Sequence, residues 1–333
     1  MPSLQDAINN EKTLIVGNAP CGSVKTVEDV RRACRSGATR ITVGSITLSK
    51  RIGNTPAGSF GTYYFNPETL ESGNALGLNN MGLDEFLLVV PEMLELAHAA
   101  GKKLIASVAG FSIEEITQLV CACLKAGVDG VEINFGCPNV YLASGERKAI
   151  FSYEPDLFGR SLAALKHTLP RDWDRQLQPL GAKVSPVEHR GVVARLSDAV
   201  SRTDIIDEIV AVNTDPDHRF LLPGGVDALA FYTEGSTKTL HRGGQAGAPL
   251  REIRRRVVRL WRELQPNRKI IAVGGIFTGL DAYEAVNEDG ANGFECATSY
   301  IENGGPLIFN DILEDYAQRI ADSFGEREAR IVP

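Results

Sequence analysis

Gly130-Val-Glu-Ile-Asn-Phe-Gly-Cys-Pro-Asn139 lies between two stretches of helical periodicity, Ser112–Ala126 and Phe158–Thr168. Its first four residues, Gly130–Ile133, read as a short buried strand, so the local order is helix, strand, turn, helix. At its end the strand opens into two asparagines flanking a cysteine. Pro138 fixes the backbone after the thiol and removes one N–H, which makes Asn134-x-x-Cys137-Pro-Asn139 a shaped turn. A thiol between two neutral carboxamides suits proton abstraction from a polar, uncharged heterocycle. A cysteine packed before a turn as a small hydrophobe is the alternative.

The same alternation repeats on both sides. Seven more short apolar runs read as strands: Leu14–Gly17, Arg40–Val43, Lys103–Val108, Leu180–Val184, Glu208–Val212, Lys269–Val273 and Asn292–Cys296. Helical stretches are predicted at Val27–Ser36, Asp84–Ala100, Ser197–Ser201, Pro249–Leu264, Gly279–Asp289 and Pro306–Ser323. Eight strand–helix alternations predict an α/β fold, a (β/α)8 TIM barrel formed by residues 1–333 as a single domain, with a doubly wound sheet as the other arrangement. Ser49–Asn80 and Thr214–Gly247 break the rhythm. Both are long, rich in Gly, Asn or Pro, and without helical period. Each follows a strand, which predicts loop insertions on the C-terminal face, where barrel enzymes build their sites.

Composition narrows the class. With 43% hydrophobic and 23% charged residues, the 333-residue chain can bury a large core. A net charge of -7 argues against a nucleic-acid partner. No apolar run is long enough to span a bilayer, and Met1-Pro-Ser-Leu-Gln-Asp-Ala-Ile8 has no leader pattern. The six cysteines form no CxxC pair and the five histidines show no metal spacing, so the expectation is a reduced, cytoplasmic protein without a metal site.

Other strand ends carry chemistry too. Ala272-Val-Gly-Gly-Ile-Phe-Thr-Gly279 ends a strand in a glycine pair, and Phe294-Glu-Cys-Ala-Thr298 follows one strand later. Glycines let the backbone approach an anion, and the loops after strands seven and eight of such barrels often hold phosphate. A plain tight turn is the alternative for Gly274 and Gly275. Lys183 lies inside the apolar strand Leu180–Val184, where burial is costly without an anionic or polar partner. It either snorkels at the rim, offsets a cofactor's negative charge, or forms a Schiff base as in lyase or aldolase barrels. Asn213-Thr214 and Asn79-Asn80 add carboxamides and a hydroxyl at the same rim.

Asn134-Phe-Gly-Cys137-Pro-Asn139, Asn79-Asn-Met-Gly-Leu83, Lys183, Asn213-Thr214, Gly243-Gly-Gln-Ala-Gly247 and Val273-Gly-Gly-Ile276 occur in the order found in the dihydroorotate dehydrogenase family. The chain resembles that family from about Leu14 to Ile320, and the cysteine in the Asn-x-x-Cys-Pro-Asn motif resembles its soluble class 1 members. The resemblance implies an FMN cofactor across the top of the barrel and a homodimer. It places the FMN phosphate at Gly274, Gly275, Ala297 and Thr298, and Lys183 near the flavin N1 region. Ala19, Gly22, Gly44, Ser45, Asn134 and Gly247 would also line the cofactor. Asn79, Met81, Gly82, Leu83, Asn134, Asn139, Asn213 and Thr214 would surround the substrate ring. Cys137 would remove the C5 proton of dihydroorotate as hydride leaves C6 for flavin N5.

The chain departs from the class 1 pattern at the end of strand two. Gly44 stands where that pattern has a lysine touching flavin and substrate, within Ile41-Thr-Val-Gly-Ser-Ile-Thr-Leu-Ser-Lys-Arg51. Because dihydroorotate carries a carboxylate, either Lys25, Lys50 or Arg219 supplies the cation, or the substrate is another cyclic amide or reducible ring. The resemblance leaves the electron acceptor open among fumarate, quinone, NAD through a partner subunit and oxygen.

Overall fold

In the computed structural model, residues 14–57, 61–141 and 144–331 are described. The Met1–Ile8 stretch read for a leader lies outside them. Eight parallel strands close into a barrel: β1 Ile15–Asn18, β2 Arg40–Ile46, β3 Lys103–Val108, β4 Gly130–Asn134, β5 Leu180–Val184, β6 Glu208–Ala211, β7 Lys269–Val273 and β8 Gly293–Cys296. Each strand pairs with its neighbours in chain order and β8 closes on β1, so the predicted barrel holds and the doubly wound sheet does not. Three strands have the predicted ends. β2 runs three residues further than predicted, to Ile46.

Alternation along each strand sorts side chains between barrel interior and helical layer. On β4, Val131 and Ile133 join the main apolar core with Phe158 and Leu162 of the helix Pro155–Thr168. Glu132 faces the other way and meets Lys183 of β5. A small apolar cluster of Ala19, Val210, Ile271 and Val273 fills another part of the barrel. The helices follow sequence signals closely where caps are clear. Thr26 and Thr278 each make a reciprocal capping box with an aspartate three residues on. Where the cap is missing the boundary moved: the helix predicted at Ser197–Ser201 spans Arg190–Thr203, and His189 at its start makes no side-chain cap bond. The stretch predicted as one helix over Gly279–Asp289 is α-helical only to Tyr283 and continues as a π turn, Glu284–Glu288.

The insertions differ from the loops expected of them. Glu71–Asn74 of the first pairs antiparallel with Gly243–Gly247 of the second, inside a four-stranded sheet completed by Tyr63–Asn66 and Asp215–His218. Thr55–Pro56 pairs with Phe231–Tyr232 in a further small sheet. Glycine is depleted from strands, which is why these segments read as loops. Here the glycines permit close approach. A Cβ on Gly243 would sit 2.4 Å from the Asn74 carbonyl oxygen, and one on Gly244 would sit 2.2 Å from Thr214 Oγ1. Phe220, Leu229 and Phe231 give the joined insertions their own apolar cluster. No helix among the described residues is long and apolar enough to cross a membrane.

Candidate active site

The strand ends and the joined insertions wall a cleft of about 850 Å³, its open mouth included. Ala19, Cys21, Gly22 and Lys25 contribute the turn after β1, and Gly44 and Ser45 the end of β2. Asn134, Cys137 and Asn139 come from the β4 turn, and Lys183 from β5. Asn213, Thr214 and Gly247 belong to the second insertion, while Asn74 and Asn79 belong to the first. Gly274, Gly275, Ala297 and Thr298 close the wall after β7 and β8.

Met81, Gly82 and Leu83 are not brought to this wall. Leu83 opens the helix Leu83–Ala99 and packs into the core, and Gly82 at its N-terminus abuts the Lys50 backbone. Asn80 serves the same turn: its side-chain Oδ1 accepts from the Thr47 and Gly82 N–H groups. Asn79 alone of Asn79–Leu83 lines the cleft.

Beneath the cleft runs a buried charged network. Arg40 donates to Glu208 (2.6 Å) and to Glu295 (2.7 Å). Lys183 Nζ lies 3.3 Å from Glu295 and 3.5 Å from Glu132. Burial alone would lower the Lys183 pKa, but Glu132 and Glu295 more than offset it and hold the ammonium protonated. A Schiff-base lysine needs a neutral amine, so this pairing weighs against a lyase reading. Burial, reinforced by Glu295, raises the Glu132 carboxyl against the opposing pull of Lys183.

A polar chain climbs from Glu132 to the rim. Ser107 Oγ donates to Glu132 (3.0 Å) and contacts Ser45 Oγ (2.9 Å). Asn134 Nδ2 donates to Ser45 (3.0 Å), and Asn213 Nδ2 donates to Asn134 Oδ1 (2.9 Å). Two strand-end carboxamides are thus set relative to each other by side chains rather than by loop backbone. Asn139 acts differently. Its Nδ2 donates to Asn74 (2.7 Å) and its Oδ1 accepts from Gly244 N–H (3.1 Å), tying one insertion to the other behind Cys137.

The Cys137 thiol is pushed up to about 12 by burial, with Asn139 N–H and Arg51 opposing and Cys21 reinforcing the rise. It is therefore a neutral thiol at neutral pH in this environment. Cys21, also raised by burial, shares the cleft.

The glycine turn after β7 fits an anion. Gly274 and Gly275 have φ of +110° and +68°, and a Cβ on Gly275 would lie 2.9 Å from the Arg251 backbone nitrogen. Ser299 Oγ donates to the Ile276 carbonyl oxygen (2.8 Å), and Thr298 Oγ1 contacts Ser72 (2.7 Å), holding this end of the cleft in place. Thr214 Oγ1 and Glu132 Oε2 are buried without a hydrogen-bond partner. A polar heterocycle with a phosphate tail suits both ends.

Glu132, Glu295, Cys21 and Asn74 escaped the sequence reading. For the two glutamates a signal existed. Each lies inside a short apolar strand, the argument that singled out Lys183. Asn74 had none, because its position depends on how two insertions pair.

A closed parallel barrel with a thiol, a buried ammonium and a glycine turn around one cleft defines a (β/α)8-barrel enzyme. More particularly, the chain belongs to the dihydroorotate dehydrogenase family, whose model matches residues 9–320. It is an oxidoreductase of the CH–CH class, and FMN is its cofactor. Among its relatives is the dihydroorotate dehydrogenase A (fumarate) of Lactococcus lactis subsp. cremoris, 27% identical over 90% of this chain and 91% of the relative. The dihydroorotate dehydrogenase B (NAD(+)) catalytic subunit of Thermoplasma volcanium is 27% identical over 80% of this chain and 77% of the relative. The quinone-type enzyme of Paracidovorax citrulli is 28% identical over 80% and 73%. A solved dihydroorotate dehydrogenase from Eimeria tenella, in complex with ferulenol, shares the fold with a TM-score of 0.70 at 21% identity, over 92% of this chain and 81% of the other. The three relatives differ in the acceptor named and match this chain almost equally.

Proposed function

We propose that this chain oxidises dihydroorotate to orotate, with Cys137 as the base. The observation that carries the reading is that Cys137, Lys183, the bonded pair Asn134–Asn213 and the Gly274–Gly275 turn open onto one cleft. Bound FMN would supply the hydride acceptor, and Gly274, Gly275, Ala297 and Thr298 would hold its phosphate. Asn134, Asn213 and Thr214 offer donors and acceptors to the amide edges of a planar ring. Cys137 as thiolate takes the C5 proton onto sulfur and becomes the thiol, while the C6 hydrogen departs with its electron pair. Lys183, kept protonated by its two glutamates, supplies fixed positive charge in the cleft floor, where negative charge develops during the reaction. The thiolate is a minor form at neutral pH, so deprotonating Cys137 is part of the barrier. A homodimer in a reducing, cytoplasmic setting is our further reading. The family resemblance supports the homodimer, and six unpaired cysteines fit the reducing setting.

A second reading, an uncharged ring in place of dihydroorotate, is favoured by Gly44. A side chain there would place Cβ 2.4 Å from the Ser107 carbonyl oxygen, so strand two can offer no lysine to a carboxylate. Anaerobic titration of the flavin-loaded protein separates the two. Bleaching by dihydroorotate supports the first reading. Bleaching by dihydrouracil alone moves the substrate to an uncharged ring, and bleaching by neither removes both.

A further inference from the structure

We infer that Lys25 is the anion-binding residue of the substrate pocket, supplying from the β1 turn the charge that Gly44 cannot carry. The inference rests on the reading of the cleft as a site of ring oxidation and names the residue that recognises the substrate's anion.

Among the described residues, two cationic side chains line the cleft, Lys183 and Lys25. Lys183 is matched by Glu132 and Glu295. Among the described residues, Lys25 has no carboxylate within ion-pair distance. Its Nζ donates to Asn79 Oδ1 at 2.5 Å, and Asn79 is a neutral carboxamide. An ammonium has three donors, so two remain for a ligand. A half-buried cation without an anionic partner is costly, and an arriving carboxylate removes that cost. Asp29, four residues on, acts on Lys25 only from beyond ion-pair distance and is already used: its Oδ2 accepts from the Lys25 and Thr26 N–H groups and from the Thr26 hydroxyl.

The backbone explains why the charge comes from this turn. Gly44 N–H donates to the Val24 carbonyl oxygen (3.2 Å), which sets the residue after Val24 beside the end of β2. Gly44 cannot carry a side chain, for its Cβ would strike the Ser107 carbonyl. Lys25 therefore reaches from the β1 turn into the space in front of Gly44, and Asn79 orients it from the first insertion. The two other candidate cations are engaged elsewhere. Lys50 pairs with Glu85 in solvent, and Arg219 makes a two-pronged contact with Asp227; neither lines the cleft. The phosphate-type turn at Gly274 and Gly275 lies after β7, leaving the Lys25 end for the substrate's own anion.

The test is calorimetric binding of orotate and of uracil to the flavin-loaded protein, in wild type and in Lys25→Met, Lys25→Arg and Lys50→Met. Losing one partner of a desolvated charge pair predicts at least a roughly thirty-fold loss of orotate affinity in Lys25→Met, with uracil binding unchanged. Lys25→Arg keeps the charge and should hold orotate within about ten-fold, and Lys50→Met should match wild type. Should Lys25→Met fail to fold, a wild-type preference for uracil over orotate still overturns the inference. Equal orotate affinity in Lys25→Met and wild type overturns it as well, even if dihydroorotate bleaches the flavin. Conversely, Lys25-dependent orotate binding without bleaching by dihydroorotate keeps the inference and removes the proposed reaction.

Discussion

Lys183 of β5 and Glu295 of β8, which are not neighbouring strands, meet at 3.3 Å inside the barrel and directly beneath the cleft. With Glu132, Arg40 and Glu208 they form a buried network in which each cation is shared by two carboxylates. Removing one member of such a set leaves charge uncompensated in a dry interior. Lys183→Met is expected to lower stability by about 3–5 kcal/mol. Adding Glu295→Gln should restore part of the loss. Urea unfolding of the flavin-free proteins measures both, and an unchanged midpoint in the single variant would show that the network is solvated.

Cys137→Ala tests the base. The substitution removes one thiol from the cleft wall and touches none of the residues read as the phosphate end. Flavin content should stay at the wild-type level, and the rate of flavin reduction by dihydroorotate should fall about 10²–10⁴-fold. Anaerobic stopped-flow reads the rate. A loss under five-fold would move the proton to another group.

The pH dependence follows from the direction of the Cys137 shift. The active form is the thiolate, and burial raises the thiol to about 12, so the thiolate fraction grows about tenfold per pH unit across the accessible range. Reduction should therefore accelerate up to at least about pH 9 without a plateau. A plateau near neutrality would mean that bound substrate or flavin lowers the thiol, or that another group is the base.

Gly275→Ala addresses the anion turn. The residue has φ +68°, and the new Cβ would lie 2.9 Å from the Arg251 backbone nitrogen. Strain of about 1–3 kcal/mol distorts the turn. FMN affinity, followed by fluorescence on adding the cofactor to apoprotein, should weaken by about ten- to a hundred-fold while the barrel stays folded by circular dichroism. Unchanged affinity would place the phosphate elsewhere.

Asn139→Ala should loosen the roof of the cleft. It removes the bonds to Asn74 and Gly244 that join the two insertions, at an expected cost of about 1–3 kcal/mol. Amide exchange should quicken at 71–74 and 243–247 and stay slow in β3, β4 and β5. Uniform quickening would instead mean that the insertions and barrel unfold as one unit.

The barrel was legible because its signals are local. Strands of four to seven mostly apolar residues and helices with a periodic face each report on their own few residues, and eight repeats in order leave few topologies. Legibility failed where a residue's role depends on a distant partner. The resemblance places Met81, Gly82 and Leu83 with Asn79 around the substrate, but the turn at Asn80 directs Leu83 into the core and, of these four, leaves Asn79 on the cleft wall. Gly243 and Gly244 read as loop because their need for glycine arises from Asn74 and Thr214, in other segments.

The sequence by itself determined the barrel, the strand-end position of Cys137 and Lys183, and the absence of a lysine at Gly44, because these rest on periodicity and residue identity. Only the tertiary structure decided that Lys183 is held protonated by glutamates from two other strands. It alone showed that Asn139 ties the insertions together and that, among the described residues, Lys25 is the cleft cation without an acid in ion-pair contact. Charge state and free valence are properties of neighbours in space, and the chain brings those neighbours from positions up to 112 residues apart for Lys183 and 54 for Lys25.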